Sequence, residues 1–476
     1  MKSLAKNSFY NIIYQVLNLL FPLVTSVYVS RIIFEDGIGK VAYAQNITSY
    51  FVTLALLGFP AYGVREISKI RSDTNKKNTI FSELFFINFI STIILSIAYV
   101  LFIIINTNAH ENFILYIFTG FVLFFNIFNI DWLYQGEEEY GYITLRSFIV
   151  KIICLILLLG GVKTKDDYIL YALITSLGTV CNYVFNIIHS RKFVKFEFKN
   201  LNLKQHMRPL IVLTAAVFLG SIYNKIDITM LGMMSTDAVV GYYSNANKII
   251  VMILTGCQAV SAAFMPRLSY LYTKDKKALE ELIEFGCKIL VFITIPATIG
   301  VYLLAPNATV VLYGESFAPA GITLQVFTPL IIIRTLGDLL CYQLLISIGQ
   351  ENKRLPAYVV AASANVILNY LLIPHWGQNG AAVASVISEF LVNGIQLLVT
   401  IKIINIHINP KYICSVLLSA GIMGGVIEII LKNVKGNILE LILSVIVGSV
   451  TYILFSILFK NEMIIMIQEK IHNRVR

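Results

Sequence analysis

The chain has 476 residues, of which 57% are hydrophobic and 13% charged, with a mean hydropathy of +0.76. A water-soluble fold is excluded, because 37 basic and 27 acidic side chains are too few to coat a globule of 53.4 kDa. The net charge of +10 is not a nucleic-acid signature, since most Lys and Arg lie in short loops between long apolar runs and call for a membrane explanation.

Runs long enough to cross about 30 Å of hydrocarbon as helices are predicted at 8–33, 42–60, 80–105, 113–134, 142–161, 167–189, 209–233, 239–264, 283–304, 319–347, 357–373, 379–403, 411–431 and 437–459. These fourteen are continuous blocks of Ile, Leu, Phe and Val rather than the strict alternation of a membrane barrel, so the expected class is an all-α integral membrane protein. Pro319, Pro329 and Pro356 interrupt the tenth and eleventh runs. With alternating sides and a cytoplasmic N-terminus, loops assigned inside hold 27 of the 37 Lys and Arg, and loops assigned outside hold six. That bias predicts both termini in the cytoplasm. The first run is of span length and lacks a small-residue cleavage pattern, so it is expected to remain as a helix. The six cysteines fall in or at the ends of runs, which argues against a disulfide framework.

The sequence repeats itself weakly. Tyr134-Gln135-Gly136-Glu137-Glu138-Glu139 closes the fourth run, and Ile348-Gly349-Gln350-Glu351-Asn352-Lys353-Arg354 closes the tenth, at an offset of 213 residues. Ser26-Val27-Tyr28 and Tyr43-Ala44-Gln45-Asn46 are echoed by Ser221-Ile222-Tyr223 and Tyr243-Ser244-Asn245-Ala246, and Pro60 and Pro266 end corresponding runs. Two pseudo-repeated six-helix lobes are therefore expected, 1–190 and 205–405, followed by two C-terminal helices within 411–459 and a cytoplasmic tail at 460–476.

Polar residues on the apolar helices form rows. Asn11, Gln15, Asn18, Pro22 and Thr25 recur at three- and four-residue spacing, continuing through Tyr28 to Arg31, so they share a face that is not suited to lipid. Ser385, Glu389, Asn393 and Gln396 repeat the device, as do Asn365 and Asn369. With Gln45 and Asn46, the candidates for a polar cavity lining are Asn18, Gln45, Asn46, Asn365, Asn369 and Asn393. Helix-to-helix hydrogen bonding is the ordinary alternative for each. Ionised groups demand more, because a Lys or Arg at mid-helix costs about 2.5–3.5 kcal/mol on even the gentlest scale. Lys151, Lys225, Lys248 and Arg334 fall within runs. Arg334 has Asp338 one turn on as an internal partner, whereas Lys225 and Asp227 point to different faces and cannot satisfy each other. Lys225, Lys248 and Arg31 have similar depth and are candidates for a cationic wall. Near the inner ends, Arg65, Arg146 and Lys151 are expected to reach lipid phosphate, and Asp131, Trp132 and Glu137–Glu139 to form a solvated cap. Asp227, Asp338 and Glu389 are candidates for binding a coupling ion.

No G-x-x-x-x-G-K-[ST] loop occurs, the six His include no i, i+4 pair, and no Cys cluster has zinc spacing, so neither a cofactor nor a metal is expected and catalysis has no visible seat.

Tyr28-Val29-Ser30-Arg31, Gly63-Val64-Arg65-Glu66-Ile67-Ser68, Asp131-Trp132-Leu133-Tyr134-Gln135-Gly136 with Ile143-Thr144-Leu145-Arg146, and Lys225-Ile226-Asp227 resemble the Wzx-type flippases of capsule and O-antigen repeat units, members of the multidrug/oligosaccharidyl-lipid/polysaccharide (MOP) superfamily. The resemblance covers most of the chain and is denser in its N-terminal lobe. It implies two six-helix bundles working by alternating access in the bacterial cytoplasmic membrane. It also implies transfer of an undecaprenyl-diphosphate-linked oligosaccharide from inner to outer leaflet, with a polysaccharide polymerase and chain-length machinery as partners beside membrane lipids. By the same resemblance Arg31, Arg65, Lys225 and Lys248 match cavity cations, and Arg334 joins them as a candidate. The chemistry agrees, since a diphosphate cannot cross hydrocarbon bare and needs fixed cations with polar groups for the sugar hydroxyls. The competing expectations are a cation-coupled multidrug exporter of the same superfamily, which calls for an acidic cavity, and a flippase for a teichoic-acid or peptidoglycan lipid precursor. A membrane polymerase or glycosyltransferase would want a long outer loop or a metal-binding carboxylate pair, and neither is present.

Overall fold

The computed structural model describes residues 4–197, 201–406, 409–434 and 437–466; the expected cytoplasmic tail lies outside them from residue 467 onward, as does Lys435. The described residues contain helices and turns but no strand. In chain order the helices are α1 (Leu4–Ala55), α2 (Phe59–Lys69), α3 (Thr74–Ile105), α4 (Thr107–Glu111), α5 (Phe113–Phe124), α6 (Asp131–Gly136), α7 (Tyr140–Gly161), α8 (Tyr168–Ser190), α9 (Lys204–Met234), α10 (Asp237–Ala262), α11 (Met265–Tyr272), α12 (Lys276–Tyr313), α13 (Ala318–Phe327), α14 (Pro329–Gly337), α15 (Leu344–Ser347), α16 (Leu355–Thr400), α17 (Pro410–Asn433) and α18 (Asn437–Leu458). Among the described residues, eleven helical stretches are long and apolar enough to cross a membrane, with Phe113–Phe128 as a shorter apolar one. Two of the stretches each hold two expected runs. α1 breaks at Phe34 (φ 54°) and α16 at Gly377 (φ 52°), where the chain leaves helical geometry and resumes it without an intervening loop. The tenth run is cut as its prolines predict, into α13, α14 with Pro329 in its first turn, a π-helical turn Asp338–Gln343, and α15.

The chain forms two compact units, Met1–Gly241 and Tyr242–Arg476. In the first, α1 packs against α3, α5, α7, α8 and α9, so that α9 belongs to this unit. One end of this unit is built around α2, a short helix entered through Gly58 in the left-handed region with Pro60 in its first turn. Asp73 then caps α3 by accepting the Lys76 backbone N–H at 3.1 Å. The second unit has the same local device: α11 carries Pro266 in its first turn, and Asp275 caps α12 by accepting the Ala278 N–H at 3.1 Å. α17 and α18 pack on each other and on α12, around Ala420, Met423, Ile427 and Tyr452. All six cysteines are free thiols.

The expected solvated cap at 131–139 is corrected by packing. Trp132 and Tyr134 are buried in a cluster with Phe59, Phe81 and Leu133, and Gly63 of α2 lies so close to the indole that a Cβ there would meet Trp132 Cδ2 at 2.6 Å. Glu137 is used inside the protein, pairing with Lys77 at 3.0 Å with both side chains under 10% exposed, while Glu138 pairs with Arg71 at 3.0 Å on the surface. Short-range sequence reading missed these pairs because the basic partners come from the loop before α3 and from its first turn.

Candidate functional site

In the first unit, α9 lies beside the part of α1 that follows Phe34, with polar groups facing each other. Lys225 Nζ donates to Ser49 Oγ at 2.7 Å. Asn46 donates to Thr229 Oγ1 at 2.8 Å, and the Tyr50 hydroxyl is 2.9 Å from the same oxygen. Gly232 accommodates the Tyr43 ring, which a Cβ would overlap. Lys225 is half-buried and, among the described residues, is held by a hydroxyl and not by a carboxylate. Asp227, two residues on, is buried, in keeping with the different faces expected of the pair. Arg31 is exposed on α1, and Gln45 donates to Thr175 Oγ1 at 3.3 Å.

The other candidate basic residues of this unit have separate fates. Arg65 pairs with Glu66 at 2.9 Å and lies over the Tyr62 ring at 5.0 Å, with its side chain 54% exposed. Lys151 Nζ donates to Asn18 Oδ1 at 2.6 Å, joining two of the expected polar positions. Arg146 does not reach outward to lipid: its side chain is buried, it contacts Asp131 Oδ1 through both terminal nitrogens at 3.2 Å, and it donates to Asn182 at 2.9 Å and to Asn186. Asn186 completes the network by donating to Asp131 at 2.6 Å. A planar guanidinium with five donors suits such a set of oxygens better than an interfacial phosphate would.

In the second unit Lys248 Nζ donates to Asn245 Oδ1 at 3.0 Å, again a neutral acceptor. Arg334 pairs with Glu389 of α16 at 2.8 Å, and Asn393 donates to the Glu389 carboxylate at 3.2 Å. This corrects the expected Arg334–Asp338 pair. The chain enters the π-helical turn at Asp338, where the residue five along stacks over the first. Gln343 accordingly donates to Asp338 Oδ2 at 3.1 Å, and Ser261 of α10 donates to the same oxygen at 2.6 Å. Asn369 donates to Asn365 at 3.1 Å, both buried within α16.

One cluster escaped the sequence reading altogether. Glu83, His206 and Tyr62 come together from α3, α9 and α2, with His206 Nε2 at 2.8 Å from Glu83 Oε2 and Nδ1 at 2.7 Å from the Tyr62 hydroxyl. No local pattern links residues 123 apart. The only sequence signal was an acidic residue, Glu83, four residues into an apolar run. Among the described residues there is no group of three or more His, Cys, Asp and Glu arranged to hold a metal.

Comparison with known proteins agrees with this architecture. The chain is 23% identical over 410 residues to a putative O-antigen transporter of Escherichia coli (strain K12), covering 83% of this chain and 96% of that one. Among solved structures, the lipid II flippase MurJ in an inward closed conformation superposes with a TM-score of 0.79 at 16% identity, covering 96% of this chain and 99% of the other. An inward-facing multidrug resistance MATE family transporter of the MOP superfamily superposes with a TM-score of 0.63 at 14% identity, covering 81% and 94%. At these identities the structural likeness is one of fold. A model of the family described as polysaccharide biosynthesis protein matches residues 4–272, more than half of the sequence. Taken with the Wzx-type motifs and the apolar helices, these matches make the chain a multi-pass membrane transporter, not an enzyme, that belongs to the polysaccharide biosynthesis protein family.

Proposed function

We propose that the protein flips an undecaprenyl-diphosphate-linked oligosaccharide repeat unit from the inner to the outer leaflet of the bacterial cytoplasmic membrane, by alternating access, for assembly of a capsule or other surface polysaccharide. The observation that carries this reading is the state of two ammonium groups. Lys225 and Lys248 sit in apolar helices and rest on a hydroxyl and an amide oxygen, so neither charge is cancelled by a carboxylate among the described residues. A charge kept in such a place without a counter-ion suits an anionic guest, and a diphosphate supplies one. Arg31 adds a third cation at similar depth along the sequence, while Arg334 and Arg65 have acidic neighbours and act as weaker attractors. Asn46, Gln45 and Asn18 suit sugar hydroxyls. The distribution of loop charges favours cytoplasmic termini, and a polymerase with its chain-length machinery is the natural consumer of the product.

The test is deletion of the gene followed by analysis of accumulated lipid-linked glycans, whose identity names the substrate. Restoring the gene with Lys225→Ala or Lys248→Ala is expected to leave membrane insertion intact and to lower surface polysaccharide at least tenfold, with Lys→Arg doing less harm. Wild-type levels in both Ala variants would refute a role for either ammonium group.

A further inference from the structure

Glu83 and His206 are among the most deeply buried ionisable groups of the first unit, with side chains 2% and 4% exposed. The Glu83 carboxylate accepts three hydrogen bonds, from the Asn202 backbone N–H at 2.6 Å, from Gln205 Nε2 at 3.0 Å and from His206 Nε2 at 2.8 Å. The Asn202 and Gln205 donors favour the anion, which only accepts, and a carboxylate oxygen at 2.8 Å calls for a hydrogen on His206 Nε2. The other ring nitrogen, Nδ1, faces the Tyr62 hydroxyl at 2.7 Å. A hydroxyl is a partner that serves both protonation states of an imidazole. It donates to Nδ1 when the ring is neutral, and on rotation it accepts from Nδ1–H when the ring is charged. One proton from solvent can therefore be added at Nδ1 with no hydrogen bond lost. Its arrival turns a lone buried anion into an ion pair of zero net charge.

We propose that Glu83, His206 and Tyr62 form a proton-binding site whose occupancy holds the inner end of α9 on α2 and α3, and whose emptying releases it. The charged and titratable groups around it are Tyr62, Arg65 and Glu66 from α2, Glu83 from α3, and Lys204 and Arg208 on the exposed side of α9. Arg65 and Glu66 neutralise each other at 2.9 Å. Among the described residues the three elements share no other ionic contact at this point, so separating α9 from α3 hydrates both Glu83 and His206 and changes what the proton gains by staying. Docking and proton occupancy are then linked equilibria. The existence of the site stands on the geometry, and its use as the proton step of transport rests on the flippase reading above.

The test uses the full chain, 15N-histidine-labelled, in lipid nanodiscs. Solid-state NMR from pH 5 to 9 is expected to show His206 Nδ1 passing from protonated to acceptor, with the signal assigned by its loss in His206→Gln. Hydrogen–deuterium exchange of residues 201–210, corrected for intrinsic rates, is expected to rise at least tenfold over the same pH interval. Glu83→Gln is expected to abolish both pH dependences; should that variant misfold, Tyr62→Phe is expected to displace them. A His206 that keeps one charge state throughout, or an exchange profile indifferent to pH, overturns the proposal. Neither readout involves a glycan, so their failure leaves the flippase reading standing. Failure of that reading shows instead as no accumulated lipid-linked glycan after deletion, with the titration unchanged.

Discussion

Arg146 gives the sharpest test of how the inner half of the first unit is held together. If its guanidinium is a structural tie, Arg146→Met strands the Asp131 carboxylate, which keeps only the Asn186 donor at 2.6 Å, and leaves the Asn182 and Asn186 amide oxygens without their guanidinium donor. Removing one partner of a buried pair costs about 3–5 kcal/mol. Asp131 is about one-quarter exposed, which lets water repay part of that, so about 3 kcal/mol is the better expectation. Against a folding stability of about 5–15 kcal/mol this is a large fraction. Arg146→Met is therefore expected to lose its monodisperse fraction in detergent at a distinctly lower temperature than the parent. Asp131→Leu alone is expected to be equally harmful, since it strands the cation. The double variant Arg146→Met/Asp131→Leu removes both charges and is expected to lose no more than half of what either single variant loses, so that the two losses are strongly non-additive in a double-mutant cycle. Thermal half-loss temperatures measured for the four proteins in one detergent decide it. Arg146→Met with parental stability but no polysaccharide export would refute the tie and make Arg146 a substrate-facing cation.

At the outer end, Gly232→Val is expected to force the Tyr43 ring aside and to destabilise the α1–α9 contact by about 1–3 kcal/mol; Tyr43→Ala in the same chain should relieve it, and thermal stability of the single and double variants checks both. At the end of the second unit, hydrogen bonding from Lys288 at 2.9 Å, with a second from Asn409 at 2.8 Å, holds the Glu462 carboxyl below its ordinary value of 4.5. A lowered carboxyl stabilises the native state above its unfolded value, and that contribution disappears as pH falls through the range below 4.5. Protease cleavage around residues 461–466 is accordingly expected to increase on acidification from pH 5 to 3, and Glu462→Gln to be cleaved equally at both.

The apolar runs were legible because a bilayer leaves a continuous sequence signature about twenty residues long. The breaks inside them were less so. Pro329 announced the start of α14, but nothing marks Phe34 as the residue at which α1 leaves helical geometry, since phenylalanine has no preference for the φ of 54° it adopts there. Lys225 and Lys248 were visible as charges in costly places, and their nearest acceptors are neutral. Their acceptors were not visible: Ser49 lies 176 residues from Lys225. The same distance problem hid Glu83–His206, and it led local spacing to give Arg334 to Asp338 when Glu389, 55 residues on, was the partner. Helical periodicity reports which residues share a face, and it cannot report which face of another helix they meet.

The contacts that bind α9 differ in strength at its two ends, and the difference bears on how such a helix could move. At the outer end Asn46, Ser49 and Tyr50 offer three hydrogen bonds to Thr229 and Lys225. At about 0.6 kcal/mol each in a bilayer they sum to about 2 kcal/mol, within reach of a ligand. A phosphate oxygen forms a charge-assisted bond to an ammonium roughly twice as strong as a neutral one. On the flippase reading, a diphosphate at Lys225 therefore competes with Ser49 on favourable terms, and substrate binding loosens the outer contact. The inner end is tied by an ionisable pair that no neutral ligand can displace, but that a change of one proton alters by a full charge. An anion acting at one end of α9 and a proton at the other would bias the same helix through chemically independent contacts, which is what a transporter needs if substrate and driving ion are to be coupled without meeting.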